Sequence, residues 1–185
     1  MNAKTCLIAG ALSAGVVFVA PAQAEMTTMV GGAPMYPSRN IVENAVHSKD
    51  HTTLVAAVKA AGLVDTLEGA GPFTVFAPTN AAFARLPAGT VKSLLEPENK
   101  AKLTSVLTYH VVPGRLTKGD IDALIKQGGG KTMLKTVEGE DLTFEEMNGH
   151  LWVIDAKGDK AEVTIPNVMQ SNGVIQVINK VLLPG

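Results

Sequence analysis

Tyr109 and His110 stand side by side, and a phenol next to an imidazole can pass a proton, hold a ligand by hydrogen bonds or anchor a partner. Read as a strand, Tyr109 to Val112 sends successive side chains to opposite faces, so the two rings cannot line one flat surface. The same residues therefore suit packing, with the Tyr109 hydroxyl satisfied internally and His110 bridging backbone groups. His47 and His51 lie four apart, a spacing at which one helix can offer two metal ligands. Asp50 reads as a helix cap between them, which breaks that helix, and His150 sits beside a turn with no acidic or His neighbour. No closed ligand set forms, and no metal is expected. Glu145 and Glu146 are consecutive in a strand-like run and cannot face each other as an acid and base pair. With Glu138, Glu140 and Asp141 they read as solvated strand edges and turns that discourage edge aggregation. No serine sits in a G-x-S-x-G elbow. The glycine runs Gly31-Gly32 and Gly128 to Gly130 lack the frame of a phosphate loop. An enzyme is not expected, and neither is a cofactor.

The chain has 185 residues and a formal net charge of −1. No Lys/Arg run is available to neutralise phosphates, which argues against nucleic acid. Residues 1–24 carry Lys4, the apolar run Leu7 to Ala20, a break at Pro21 and the small-x-small pattern Ala22-Gln23-Ala24. This is the pattern of a secretory signal peptide, too short and too rich in Ala and Gly for a membrane span. Cys6, the only cysteine, lies inside it. The exported chain is expected to lack disulfides, thiol chemistry and a membrane span, and to rely on a packed core as a monomer.

Residues 25–40, rich in Gly, Pro, Thr and Ser, read as a flexible or loosely docked arm. Residues 41–185 read as one domain. Helices are expected at Ile41 to Ser48 and at His51 to Ala61, the latter capped by Asp50 and ended by Gly62. Further helices are expected after Thr79 or Asn80, at Val91 to Leu95, from Pro97 through Leu107, and at Ile121 to Lys126 with Asp120 as cap. Phe73 to Ala77 reads as a buried strand between Gly71-Pro72 and Pro78. From Lys131 onward, strands are expected at Thr132 to Val137, Leu142 to Glu146, His150 to Asp155, Ala161 to Ile165, Val174 to Ile178 and Val181 to Leu183. Asn148-Gly149 is a hairpin turn signal. Helices followed by a strand meander make an α+β domain in which the early strand pairs with late ones.

Three stretches resemble fasciclin domains. Phe73-Thr74-Val75-Phe76-Ala77-Pro78-Thr79-Asn80-Ala81-Ala82-Phe83 is similar to that family's first signature. Tyr109-His110 falls at its Tyr-His motif. Ser171-Asn172-Gly173-Val174-Ile175-Gln176-Val177-Ile178 and the residues through Pro184 are similar to its closing signature. The resemblance implies a compact β-sandwich flanked by short helices, and adhesion or extracellular recognition instead of catalysis. In animal matrix members, integrin binding is tied to the Tyr-His motif with its apolar flanks and to an Asp-Ile pair before the closing signature. Here the implied contact residues are Tyr109 and His110 with Leu107, Val111 and Val112. Asn167-Val168 stands at the Asp-Ile position without its carboxylate, and Gln176 replaces a common His.

The expectation is an exported, non-enzymatic module that contacts a protein or polysaccharide in the periplasm, at the cell surface or outside the cell. The alternative is a periplasmic carrier of a small hydrophobic ligand, or a stress-related factor, with an apolar groove near Leu107, Tyr109 and the helices.

Overall fold

The computed structural model describes residues 27–185, so the expected leader at 1–24 lies outside the described residues. The stretch read as an arm is instead docked from its first described residues. Thr28–Val30 (β1) and Ala33–Met35 (β2) form an antiparallel hairpin turned by Gly31 and Gly32 at positive φ. Val30 and Met35 are buried in the apolar core that packs against the helices. Asn44 accepts the Tyr36 N–H at 3.0 Å and donates to the Tyr36 carbonyl and to Gln170. The Ser171 N–H donates to the Arg39 carbonyl at 2.9 Å. Three-residue strands are too short for alternation to register against the Gly and Pro around them, which is why composition points to a loose segment.

Ile41–Ala45 (α1) starts at Asn40, which forms a capping box with Glu43. One 3₁₀ turn, Lys49–His51, leads into Thr52–Ala61 (α2), which ends at Gly62 with φ 73°. Asp50 does not cap α2; Asn80 does so from across the fold. Its Oδ1 accepts the Thr53 N–H at 3.0 Å and the Thr52 hydroxyl at 3.2 Å, and its Nδ2 donates to the Lys49 carbonyl at 2.8 Å. Thr79 separately caps Asn80–Ala84 (α4) by accepting the Ala82 N–H. Replacing Asn80 with Ala is expected to cost about 1–2 kcal/mol, the upper range for a lost cap, measured by urea unfolding.

Val64–Glu68 (α3), Thr90–Leu94 (α5), Lys100–Tyr109 (α6) and Lys118–Gln127 (α7) complete the helices. Thr117, not Asp120, is the N-cap of α7; Asp120 is the third residue of its capping box. The remaining strands are Phe73–Pro78 (β3), Val111–Pro113 (β4), Lys131–Lys135 (β5), Asp141–Met147 (β6), His150–Ile154 (β7), Lys160–Gln170 (β8) and Gly173–Ile178 (β9). They form one sheet in the order β4-β3-β9-β8-β7-β6-β5. The β3–β9 pair is parallel, and every other neighbour is antiparallel. Asn148 and Gly149 turn β6 into β7 with φ 55° and 80°. Val181 to Leu183, expected as a strand, run as an unpaired tail.

Strand β8 is twice the expected length because it changes partners. Its first part pairs with β7 and its last part with β9, with register shifts at Val163/Ile165 and Ile165/Val168. Those irregularities bend the sheet, as bulges do. The far edges then approach, and the Val137 N–H donates to the Val111 carbonyl at 2.8 Å. The result is a barrel-like sandwich of mixed α+β class. Its interior holds Phe76, Tyr109, Val112, Ile121, Phe144, Val153 and Ile178, with Phe76 and Phe144 ring centroids 5.3 Å apart. A second core lies between the outside of β3, β9 and β8 and the helices α1, α2 and α6, and includes Val75, Ala77, Val168, Ile175 and Val177.

Candidate functional site

Tyr109 ends α6 and His110 is its C-cap, so the strand expected from Tyr109 begins only at Val111. Helical rotation of about 100° per residue still sends the two rings different ways. Tyr109 enters the barrel, fully buried. Its hydroxyl accepts the Ala156 N–H at 2.9 Å and donates to the Asp141 carbonyl at 3.3 Å. Burial, with Asp155 and two glutamates nearby, pushes its pKa up to about 12. His110 bonds the Val106 carbonyl through Nδ1 at 2.7 Å and accepts the Leu182 N–H at Nε2, 3.0 Å. One nitrogen donates and the other accepts, which assigns the neutral ring with its proton on Nδ1. Burial lowers its pKa to about 4. The motif is thus two staples: Tyr109 ties α6 to the β6 and β7 ends, and His110 ties α6 to the C-terminal tail.

Leu107, Val111 and Val112 are buried as well, and so is Val168. Of the seven residues expected at a contact surface, only Asn167 is exposed. It sits in the β8 irregularity at φ 59°. Its Oδ1 accepts the Lys118 N–H at the start of α7, 2.7 Å away, and its own N–H donates to Gln176 Oε1 at 3.0 Å. Gln176 donates to the Leu116 carbonyl at 3.1 Å and reaches Asn167 Oδ1 at 3.4 Å. The two departures from the fasciclin pattern noted above, Asn167 and Gln176, therefore touch and lock β8, β9 and α7 together. Asn167→Ala puts a Cβ residue without a local hydrogen bond at positive φ and removes an acceptor from α7. A loss of about 1–3 kcal/mol in thermal or urea unfolding is expected.

The signature stretches form the centre of the fold. Phe73 to Pro78 is β3 and Gly173 to Ile178 is β9, paired Phe73 with Gly173 through Pro78 with Ile178. Thr74 donates to the Gly114 carbonyl at 2.7 Å and accepts the Leu116 N–H at 2.9 Å. Buried Asn172 accepts the Ile41 N–H at 3.1 Å and donates to the Leu67 carbonyl at 2.7 Å. Phe83 packs into the second core.

Charges on the outer face of β5 to β8 are paired more closely than their spacing suggests. Glu145, expected to be solvated, is covered by Lys160 and by Lys131 at 3.2 Å. Hydrogen bonds from those lysines hold its carboxyl below the usual range, Lys160 contributing most. His150, expected to lack an acidic neighbour, meets Glu162 at 2.7 Å because β7 and β8 are adjacent. Among the described residues no group of three or more His, Cys, Asp or Glu is placed to hold a metal ion.

One feature has no single sequence signal. A cavity of about 70 Å³ opens between α1, α2 and α3 on one side and β3, β8 and β9 on the other. Its lining combines Leu107, His110, Val111, Val168 and Ile175 with Val30, Met35, Ile41, Leu54, Val58 and Val64. Among its lining residues Lys59, Thr66 and Val137 are exposed and mark its mouth. Buried Ser48 and His51 also line it, with Ser48 Oγ 2.9 Å from His51 Nδ1. Burial lowers the pKa of the His51 ring, which lies against the backbone of Ala77. The helical spacing of Leu54 and Val58 marks an apolar face but not the gap beneath it, because part of the opposing wall, Val168 and Ile175, comes from strands more than a hundred residues later.

The sequence model of the fasciclin domain family matches residues 49–184. Protein sll1483 of Synechocystis sp. is 49% identical over 173 residues, covering 92% of this chain and 89% of its own. The cell surface glycolipoprotein MPB83 of Mycobacterium bovis is 39% identical over 123 residues, covering 66% of this chain and 48% of its own. Among solved structures, a FAS1 domain pair from the insect cell adhesion molecule fasciclin I superimposes with a TM-score of 0.71 at 22% identity. It covers 80% of this chain and 52% of that one. That likeness shows the fold. No helix among the described residues is long and apolar enough to cross a membrane.

Proposed function

This chain belongs to the fasciclin domain family, and on that premise we propose that it is an exported recognition module that supports adhesion by contacting a protein or polysaccharide outside the cytoplasm. The observation that carries the reading is the family match on a chain that opens with the pattern of a secretory leader. The description of one relative as a cell surface glycolipoprotein supports it. Because Tyr109 and His110 are buried staples, the contact is assigned to the exposed surface, not to the Tyr-His rings. Binding of the purified domain to cells, matrix proteins and polysaccharides tests this. Saturable binding to one of them supports the reading. No binding to any, together with unchanged adhesion of a deletion strain, refutes it.

The aliphatic lining of the cavity supports a second reading, carriage of a small hydrophobic molecule, for which its roughly 70 Å³ would have to open further. Native mass spectrometry of the protein purified from its own cells discriminates. A co-purifying small molecule supports carriage, and a bare mass weighs against it.

A further inference from the structure

We propose that the outer face of β6, β7 and β8 binds an uncharged polysaccharide, with one pyranose ring stacked on Trp152 and its hydroxyls held by Lys131, Lys160 and Glu162. The proposal rests on the recognition reading and deepens it by naming the surface and the class of polymer.

Trp152 is the only tryptophan of the chain, and it belongs to neither core. Leu151 and Val153 on either side of it fill the barrel interior, so strand alternation turns Trp152 outward. There it is half-buried. Its cross-strand neighbours are Glu145 on β6 and Glu162 on β8, in a row that starts at Lys131 on β5. Both glutamates are fixed by partners. Glu145 meets Lys160 and, at 3.2 Å, Lys131; Glu162 meets His150 at 2.7 Å and Asn179 at 3.3 Å. Lys160 on β8 reaches Glu145 on β6, so that pair spans β7 beside Trp152. One row along, Met133 is 63% exposed and Ile154 is half-buried, which extends the apolar area.

A pyranose ring has a face of C–H groups and a rim of hydroxyls. An indole covers the first with a large, rigid apolar area at low conformational cost. Ammonium and carboxylate groups bind the second more strongly than neutral groups do. An ammonium has three protons and a carboxylate about four acceptor sites, so an ion pair leaves both able to bind hydroxyls. The side chains of Lys131, Lys160 and Glu162 are 65%, 44% and 25% exposed. Glu145 is covered and acts by holding the two lysines in place. Side chains already held lose less freedom when a polymer binds. The charge pattern then selects the partner. Lys131, Lys160 and His150 all lie against Glu145 and Glu162, so their charges are met within the face and a polyanion gains no net attraction from them. Protein interfaces keep charged residues out of their centre, whereas here they flank the indole on both sides. An uncharged polyhydroxyl chain fits both facts.

The test runs the whole protein in native gels cast with hydroxyethyl cellulose, dextran, galactomannan or the polyanion alginate. Retardation of the wild type is expected in at least one neutral polymer and not in alginate. Trp152→Ala is expected to weaken it by about 10-fold or more, the loss of a central aromatic contact. Equal retardation of Trp152→Ala overturns the surface and leaves recognition of polysaccharides standing. No retardation by any neutral polymer, or retardation by alginate as strong as by any of them, overturns the proposal. The recognition reading then stands or falls with the screen on cells and matrix proteins. Because Trp152 is the only tryptophan, wild-type fluorescence gives a readout that needs no variant. The retarding polymer is expected to shield Trp152 from acrylamide, at least halving the quenching constant. Unchanged quenching overturns the proposal even where Trp152→Ala does not fold.

Discussion

Between pH 7.5 and about 4.5 the protein is expected to lose about 2–3 kcal/mol of stability through one side chain, His110. Folded, the ring is held neutral with its pKa lowered to about 4, burial being the main cause. Unfolded, it titrates near 6.5. The folded state thus binds fewer protons across this window. The stabilisation is complete above about 6.5 and drains away as pH falls through 6.5 toward 4. The reason is geometric, since protonation of Nε2 destroys the acceptor that holds the Leu182 N–H and places a charge where no solvent reaches. His110→Gln keeps a donor for Val106 and an acceptor for Leu182 but has no titrating ring. Its urea midpoint is expected to be lower at pH 7.5 and to change less on acidification than that of wild type. His51, also held low by burial, titrates in the same direction in both proteins, so the difference between them isolates His110. Equal slopes would mean that His110 is not the buried neutral base described.

Gly173→Ala is expected to destabilise the protein by at least about 3 kcal/mol, enough to leave little folded material at 37 °C. Gly173 pairs with Phe73 at the start of the parallel β3–β9 contact. A Cβ built there falls 2.1 Å from the Phe73 carbonyl oxygen and 3.0 Å from its carbon and nitrogen. All three are backbone atoms of a central strand, so no side chain can rotate aside, and the strands must part. Gly149→Ala makes a useful contrast. Its Cβ meets nothing within 4 Å, and only its φ of 80° resists, so about 1 kcal/mol is expected. Thermal melts of the two variants check the ranking.

Local chemistry marks the elements well where it is self-contained. Gly62 ends α2, Asn148-Gly149 turns a hairpin and Phe73 to Pro78 is buried on both faces, each from residues within a few positions. It fails where the partner is remote. Asp50 has the right chemistry for a cap, yet α2 takes Asn80 because α4 is packed across its start. The strand expected at Ala161 to Ile165 continues to Gln170, since β9 supplies a second partner beyond the bulge and tolerates exposed Pro166 and Asn167. Val181 to Leu183 are apolar enough for a strand, but the Leu182 N–H goes to His110 and the Leu183 N–H to Asp155. Tyr109-His110 is visible as a motif, and its pointing inward is not, because α6 runs through Tyr109, two residues past the expected Leu107. The cavity stays hidden for the same reason: each wall looks like ordinary core until the walls are set apart.

The parallel seam between β3 and β9 also sets a timetable. The Asn172 side chain closes hydrogen bonds to Ile41 and Leu67, across separations of 131 and 105 residues. Both cores draw on β9, so neither is complete until almost the whole chain has been made. Contacts this distant slow folding, because the entropy of closing long loops is lost before any of them is rewarded. A nascent chain that stops short of Asn172 has a meander and several helices but no central strand to hold them. Under the proposed export as an extended thread, that delay is useful: the chain stays threadable for as long as its last strand is missing and locks only once that strand arrives.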